Sequence, residues 1–559
     1  MFSRQHAFQS LLATTVLLSG LAGGHAAFAQ EAGHPGFGAE DIGHFLPGNL
    51  VVSRVVYENN SNIQVGTVLP PNCTSGCVSA TNDDTYPYVW NNAIVDGSFG
   101  ITAKIILDQL DPAGRFINSL EVPNGQEPHG WPAQNYMVGS FSSKSEDALN
   151  LSTDGRYVTF MGYLAPLGAL DASNSNTPGV VDPTNPVTAP YYYRVVAQVD
   201  AHGKFHFTET NAYSGNNGRA AILNNSGGAD LIYTAGNAGN GSNPQPAGVV
   251  LGAGAQILTA SKEPEAAQAP GLPTPVGSFS VTQLGDKADK VGKDTNFRGL
   301  TIFNNVLYLT KGSGSNGINT LYFIDTSGSA CPNGVGVPQS NVSLPTAPIS
   351  YNAATLTTVG VTPYNMCVLS GFPTVSAKSS SVTNFPFGVW FANATTLYVA
   401  DEGNGTATYD ATTGSYTAAA AQTMAGLEKW VFNGATGSWQ LAYTLTAGLN
   451  LGVPYTVPGY PTGNNSATSL PWSPATDGLR NITGRVNHDG TVTIWAITST
   501  VSGNGDQGAD PNKLVAISDN LAATSLPTGE SFKTLRTAGF GEVLRGVSFT
   551  PGSSDIAQR

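Results

Sequence analysis

The chain has 559 residues, 11% charged and 40% hydrophobic, with 66 Gly, 35 Pro and a formal net charge of −13. The acidic balance argues against nucleic acid and anionic membrane as electrostatic partners, and the apolar share excludes a disordered chain. Gly, Ser, Thr and Asn fill the connections while Val, Ile, Tyr and Phe fill short runs, the composition of strands bounded by turns; no amphipathic helix stands out beyond the first residues.

At the N-terminus, Arg4 and His6 precede "LLATTVLLSGLAG", and "AFAQ" carries small residues at the A-x-A spacing. Residues 1–29 therefore read as an export signal cut after Ala29. Its apolar run is shorter than the roughly 20 residues a bilayer span requires. The mature chain is expected to be secreted or periplasmic, without a membrane anchor and monomeric. Residues 30–47 form an N-terminal extension, and 48–559 one folded domain.

"GNLVVSRVVY" (48–57) is a strand with no hairpin partner before it, followed by the strand candidates "ITAKIILDQL" and "RFINSLEV". Between them lies "NCTSGCV", with Cys73 and Cys77. An exported chain with four cysteines reads as two local disulfides, Cys73–Cys77 and Cys331–Cys367. A C-x-x-x-C metal site is the rival, but no histidine or further cysteine stands near it. "NGQEPHGWPAQNY" then brings His129, Trp131 and Tyr136 together on a long connection. A histidine beside an aromatic wall suits a general base in a sugar site, and equally an ordinary surface loop.

From there a unit recurs: "EDALNLSTDGRYVTFMG" (146–162), "GRAAILNNSGGADLIYTAG" (218–236), "FRGLTIFNNVLYLTKG" (297–312), "PFGVWFANATTLYVADEG" (386–403) and "LRNITGRVNHDGTVTIWAIT" (479–498). Each is a strand, a polar turn and a second strand, and further strands follow, such as "NTLYFIDT", "ATLTTVG", "GLEKWVF" and "WQLAYTL". "LRGVSFTP" (544–551) is a first strand with no second, which joins "GNLVVSRVVY" to make one blade from both ends of the chain. Repeated four-stranded units define an all-β chain with a β-propeller fold. Six blades are expected, or seven if 318–384 holds one more.

In such a fold the first strand starts, and the second ends, at the same face beside the central channel. The first-strand positions are Asp147, Arg219, Arg298, Phe387, Arg480 and Arg545; the second-strand ends are Arg54, Met161, Ala235, Lys311, Asp401 and Ala496. Six cations, Arg54, Arg219, Arg298, Lys311, Arg480 and Arg545, thus fall on one rim, where guanidinium forks suit carboxylate or phosphate oxygens. The competing account makes them blade ties, with Asp294, Asp477 and Glu542 three or four residues before Arg298, Arg480 and Arg545 as partners.

Asp401 and Glu402 in "VADEGNG" are adjacent carboxylates at that rim. One of them could act as acid/base with a carboxylate from another blade, or hold a cation across the opening. "SGNGDQGADPNK" offers Asn504, Asp506, Asp510 and Asn512 at calcium-like intervals, without the closing Glu of a hand-type loop. Asp506 and Asp510 are the metal candidates; an Asx-rich turn is the alternative, and no other cofactor is indicated. No G-x-S-x-G elbow, P-loop or H-E-x-x-H occurs, so serine hydrolase, nucleotide and zinc-protease chemistry have no motif.

The blade pattern resembles the secreted six-bladed propellers, among them NHL-repeat, lactonase-like and phytase-like proteins. The resemblance implies the fold and not an activity, since no catalytic motif of those groups is present. The sequence points to a binder of an anionic small molecule or polysaccharide, carbohydrate-like or carboxylated. The second reading is a hydrolase or lyase of lactonase, phosphoesterase or uronate-polymer type using His129 or Asp401, and the third is a scaffold for protein contacts.

Overall fold

The computed structural model describes residues 44–553 except 58–67, 70–77, 80–99, 127–135, 142–146, 182–189, 229, 238–253, 261–274, 278, 288–295, 315–316, 332, 350–364, 466–467 and 505–506. Six sheets, each with four main antiparallel strands, follow one another around a central channel. The turn chemistry is legible in the hairpin of the fourth blade. Leu300–Phe303 and Val306–Lys311 pair in direct register. They are joined by Asn304 and Asn305, both at positive φ (47° and 61°). A two-residue turn of this hand matches strand twist, and asparagine tolerates it.

The first blade is the expected composite. Glu542–Phe549 is innermost and pairs with Leu50–Val56, which is followed outward by Thr102–Leu110 and Phe116–Glu121. The second blade runs outward from a two-residue innermost strand, Asn150–Leu151, through Tyr157–Tyr163, Arg194–Asp200 and Phe205–Thr210. The third begins with Gly218–Asn224, the fifth with Pro386–Asn393 and the sixth with Ala475–Val486. Stretch 318–384 holds no seventh blade among its described residues. It supplies Thr320–Ile324 and Met366–Leu369 to the fourth blade, plus the short parallel Val335–Gly336. The "ATLTTVG" strand candidate lies outside the described residues. Helix is confined to Thr417–Ala420 and a few 3₁₀ turns among the described residues.

The blades pinch together at the residue after most first-strand positions. A Cβ on Gly299 would lie 2.3 Å from the Phe387 carbonyl oxygen, and one on Gly388 would lie 2.5 Å from that of Arg480. Only glycine allows such an approach of neighbouring backbones. Ala148 bridges Ala220 in the same way. Ser53 Oγ and Thr310 Oγ1, on second strands, donate to the carbonyls of Asp147 and Phe387 in the next blade. Between blades the gaps are filled with aromatics, as where Phe303 stacks on Phe391 with centroids 4.5 Å apart.

Cys331 and Cys367 form a disulfide with Cα atoms 5.8 Å apart, clipping the connection that precedes Met366–Leu369. Cys73 and Cys77 lie outside the described residues, as do the proposed signal and most of the N-terminal extension.

Candidate functional site

Arg298, Phe387 and Arg480 hold equivalent positions on the consecutive fourth, fifth and sixth blades. Their side chains converge. The Phe387 ring has the Arg298 guanidinium carbon 5.9 Å from its centroid and that of Arg480 at 6.0 Å. Glu402, one residue past the second strand of the fifth blade (Thr396–Asp401), bridges the same two arginines. Its Oε1 is 3.2 Å from Arg298 Nη2, and its Oε2 is 3.2 Å from Arg480 Nε. The Glu402 backbone is fixed too: its N–H donates to the Phe385 carbonyl at 3.0 Å, and its carbonyl accepts Ser499 Oγ at 2.6 Å. An aromatic face and one carboxylate therefore set both guanidinium groups.

Arg298, Glu402 and Arg480 form part of the wall of a cavity of about 530 Å³ whose lining also includes Ser313, Asn319, Ser379, Ser380, Phe385, Asn404, Asp477, Thr500 and Gln507. Blades four, five and six supply it. Ser499 and Thr500 reach it because the sixth blade's first hairpin is longer than the repeat suggests. Ala475–Val486 pairs with Thr491–Val501 through two register shifts, so Thr498 lies opposite Leu479, and Ala496, the expected strand end, lies opposite Ile482. A second cavity, about 290 Å³, takes lining residues from the innermost strands of all six blades, including Leu151, Asn224, Ile302, Trp390, Gly484 and Phe549.

The ring of six cations expected from the sequence resolves into two at this cavity and four elsewhere. Arg54 faces the sixth blade, pairing with Asp108 (2.8 Å) and Glu542 (2.6 Å) beside Arg536, which also reaches Asp108 at 2.8 Å. Its neighbour Ser53 takes the other face, and strand alternation explains the split. Arg219 is buried and donates to the Phe297 carbonyl at 3.0 Å and to Asn296 Oδ1, tying the third blade to the start of the fourth. Arg545 donates to the carbonyls of Ser140 (3.2 Å) and Phe141 (2.5 Å). Lys311 is wholly buried on the Ser313 carbonyl and Asn319 Oδ1, at 2.9 and 3.0 Å. The local partners expected for the arginines differ as well. Glu542 serves Arg54 and not Arg545, and Arg480 takes Glu402. Asp477 instead accepts the Gly405 amide at 2.8 Å and Gln422 Nε2 at 2.6 Å. Asp294 lies outside the described residues.

Asp401 is sealed behind the wall, its carboxylate accepting the amides of Phe385 (2.5 Å) and Gly403 (2.9 Å). That placement keeps it from touching a ligand in the cavity. Burial, with Glu402 and Asp477 nearby, outweighs the two amides and pushes its carboxyl up to about 7. Burial lifts Asp477 to about 7 against its hydrogen bonds and Arg480. Glu428 is driven well above the carboxylate range by burial and by Asp401. His129 and Trp131 lie outside the described residues.

Of the calcium candidates, Asp506 lies outside the described residues. Asp510 is buried, held by the Tyr460 hydroxyl (2.7 Å) and Asn504 Nδ2 (3.2 Å), and burial raises it to about 7. Asn512 is committed to backbone, donating to the Thr498 and Leu544 carbonyls and accepting the Leu544 amide. Asp325 lies close to Cys331 and Cys367, but the disulfide occupies both sulfurs.

These raised carboxyls make a pH prediction. Asp401, Asp477 and Asp510 have folded pKa values near 7, against about 4 when unfolded. Between those values the folded state binds more protons, so stability falls as pH rises from about 4 to about 7 and is level above. For each group, every tenfold difference in proton affinity between the two states is worth about 1.4 kcal/mol. His44 and His206, whose pKa values burial lowers, oppose the trend below about pH 6.5, but the carboxyls outnumber them. The melting temperature is expected to be several degrees higher at pH 5 than at pH 8, and Asp477→Asn or Asp510→Asn should remove part of the difference. A melting temperature that climbs toward pH 8 would contradict this assignment.

Fold and site together define a six-bladed β-propeller with a mixed-charge cavity on one side of its rim. No protein-family model matches the chain, and no curated protein matches it. Solved structures do match, at low similarity. The acylaminoacyl peptidase of Pyrococcus horikoshii aligns over 78% of this chain and 48% of its own, with 7% identity and a TM-score of 0.27. The chain thus spans about half of that peptidase's length. The hemagglutinin-neuraminidase ectodomain of parainfluenza virus 5 aligns over 72% of this chain and 74% of its own, with 9% identity and a TM-score of 0.30.

Proposed function

We propose that the chain binds a carboxylated, hydroxyl-rich small molecule, a sugar acid or a segment of an acidic polysaccharide, in the cavity formed by blades four to six. The observation that carries this reading is Arg480. Its Nε is held by Glu402, which fixes the plane of the guanidinium, while Nη1 and Nη2 make no hydrogen bond within the described residues. A guanidinium oriented from behind with its terminal N–H groups at a cavity is a preorganised carboxylate receptor. Ser313, Asn319, Ser379, Ser380, Thr500 and Gln507 supply hydroxyl and amide groups for sugar hydroxyls, and Phe385 an apolar surface for a ring face. Glu402 and Asp477 make the cavity mixed in charge, which favours a ligand with one carboxylate and many hydroxyls over a polyanion.

A hydrolase or lyase acting in the same cavity is the second reading, and Asp477 is the observation that favours it. It lines the cavity and titrates near neutrality, as a general acid/base requires. An extracellular or periplasmic setting fits the Cys331–Cys367 disulfide.

Thermal melts test the binding. Glucuronate and galacturonate at millimolar concentration should raise the melting temperature of the native chain by a few degrees, and glucose should not. Arg480→Ala should abolish the response while remaining folded. Loss of charged hydrogen bonds worth roughly 1.5–3 kcal/mol lowers affinity about tenfold or more. Equal responses to acid and neutral sugars, or none, would overturn the reading. Chromatography of the same uronates and of polyuronates after incubation separates enzyme from binder, since turnover lost in Asp477→Asn supports catalysis.

A further inference from the structure

We propose that Lys429 and Asp519 are joined by an intramolecular isopeptide bond, a covalent staple between the fifth and sixth blades. Tyr398, Lys429 and Tyr443 lie directly opposite one another on the second, third and fourth strands of the fifth blade. Cross-strand partners share a sheet face, so all three side chains leave toward the sixth blade. There they meet Asp519, on Lys513–Asn520.

Lys429 Nζ is 2.9 Å from Asp519 Oδ2, and both side chains are wholly buried. The Tyr443 hydroxyl donates to Asp519 Oδ1 at 2.7 Å, and the Tyr398 hydroxyl donates to Oδ2. Glu530 completes the group. Its Oε1 accepts the Asn520 amide at 2.9 Å, and its other oxygen is buried against Asp519.

An amine and a carboxyl held in contact, away from water, with a proton carrier and two phenols aimed at the carboxyl oxygens, have what amide formation requires. Lys429 Nζ also donates to the Tyr443 hydroxyl at 2.9 Å and to the Asn520 carbonyl at 2.6 Å, which hold it in place; the reaction starts with transfer of a proton from the ammonium to Asp519 across their contact. The Lys429 nitrogen then attacks Asp519 Cγ, and the phenols of Tyr398 and Tyr443 stabilise the charge that develops on its oxygens. Glu530 takes a proton from the nitrogen and delivers it to the departing hydroxyl. The Cγ–O bond breaks, a Cγ–N bond has formed, and one water leaves. The reaction needs no oxidant or cofactor. Burial and the adjacent Asp519 hold Glu530 at about 7, so it can exchange protons at neutral pH. Burial and Asp519 likewise raise Tyr398 and Tyr443, keeping both phenols protonated as donors.

Trypsin digestion of the reduced, denatured protein followed by mass spectrometry tests the staple. Peptides 379–480 and 514–533 should appear as one branched species, lighter than their sum by one water and uncut after Lys429. Separate peptides ending at Lys429 and beginning at Trp430, with 514–533 unbranched, would overturn the proposal. Glu530→Gln keeps the amine and the carboxyl but removes the proton carrier, and should leave the peptides separate. Full cross-linking in that variant would overturn the role given to Glu530. The digest of the native protein is decisive even if the variant folds poorly.

Discussion

Removal of residues 540–559 is expected to abolish cooperative folding. The deletion takes away the innermost strand of the first blade, Glu542–Phe549, and with it Val543, Leu544, Val547 and Phe549, all at most 2% exposed. Burial of four such side chains is worth about 6–12 kcal/mol at roughly 1.5–3 kcal/mol each, against a total stability of about 5–15 kcal/mol for a domain. Leu50 and Val52, also wholly buried, would lose the cover of Leu544, Val547 and Phe549 between the first and sixth blades, and the ladder edge of Leu50–Val56 would lie open. The Arg545 bonds to Ser140 and Phe141 would go too, loosening the short Gly139–Ser140 strand that pairs with Thr102–Leu110 of the first blade. Circular dichroism should show a broad or absent thermal transition, and the truncated chain should collect in aggregates. A soluble truncation with the native melting curve would show that the first blade does not depend on the C-terminal strand.

Glu402→Ala should be the most damaging single substitution in the rim cavity. It leaves Arg298 and Arg480, with side chains 11% and 19% exposed, without their shared carboxylate. Stranding partly buried charge in this way costs about 3–5 kcal/mol. Arg480→Ala should cost less, because Glu402 keeps Arg298, and Glu402→Ala combined with Arg480→Ala should cost less than the sum of the two. Urea midpoints for the two single variants and the double variant measure this directly. A Glu402→Ala midpoint within about 1 kcal/mol of the native chain would show that water already screens the cluster.

The blade architecture was legible because its signals are local and repeated. The Asn304–Asn305 turn, the small residue after five of the six first-strand positions and the unpaired strands at the two ends of the domain each point to the same ring. The rim was legible only in part. Equivalence in the repeat identifies which residues stand where strands begin, but what each side chain finds there depends on the neighbouring blade. Arg219 finds a carbonyl and an asparagine, whereas Arg298 finds Glu402. Arg54 is turned to the opposite face by alternation along its strand. The sixth blade's register shifts bring Ser499 and Thr500 to the cavity in a way the repeat does not encode. Lys429 and Asp519 carry no motif, since ninety residues separate them and only the packing of two blades brings them together. Glu402 was visible as a candidate partner for a cation across the opening, because two adjacent carboxylates at a strand end cannot both turn inward.

The composite first blade also sets an order in time. Leu50–Val56 leaves the ribosome well before its inner neighbour Glu542–Phe549 is made. The ring therefore cannot close on a partial chain, and nearly five hundred residues must wait for their final strand. Pairing between segments so far apart makes folding slow. In that interval the first-made strand stays open to a wrong neighbour, and a holding factor that covers it until release would raise the yield of native protein.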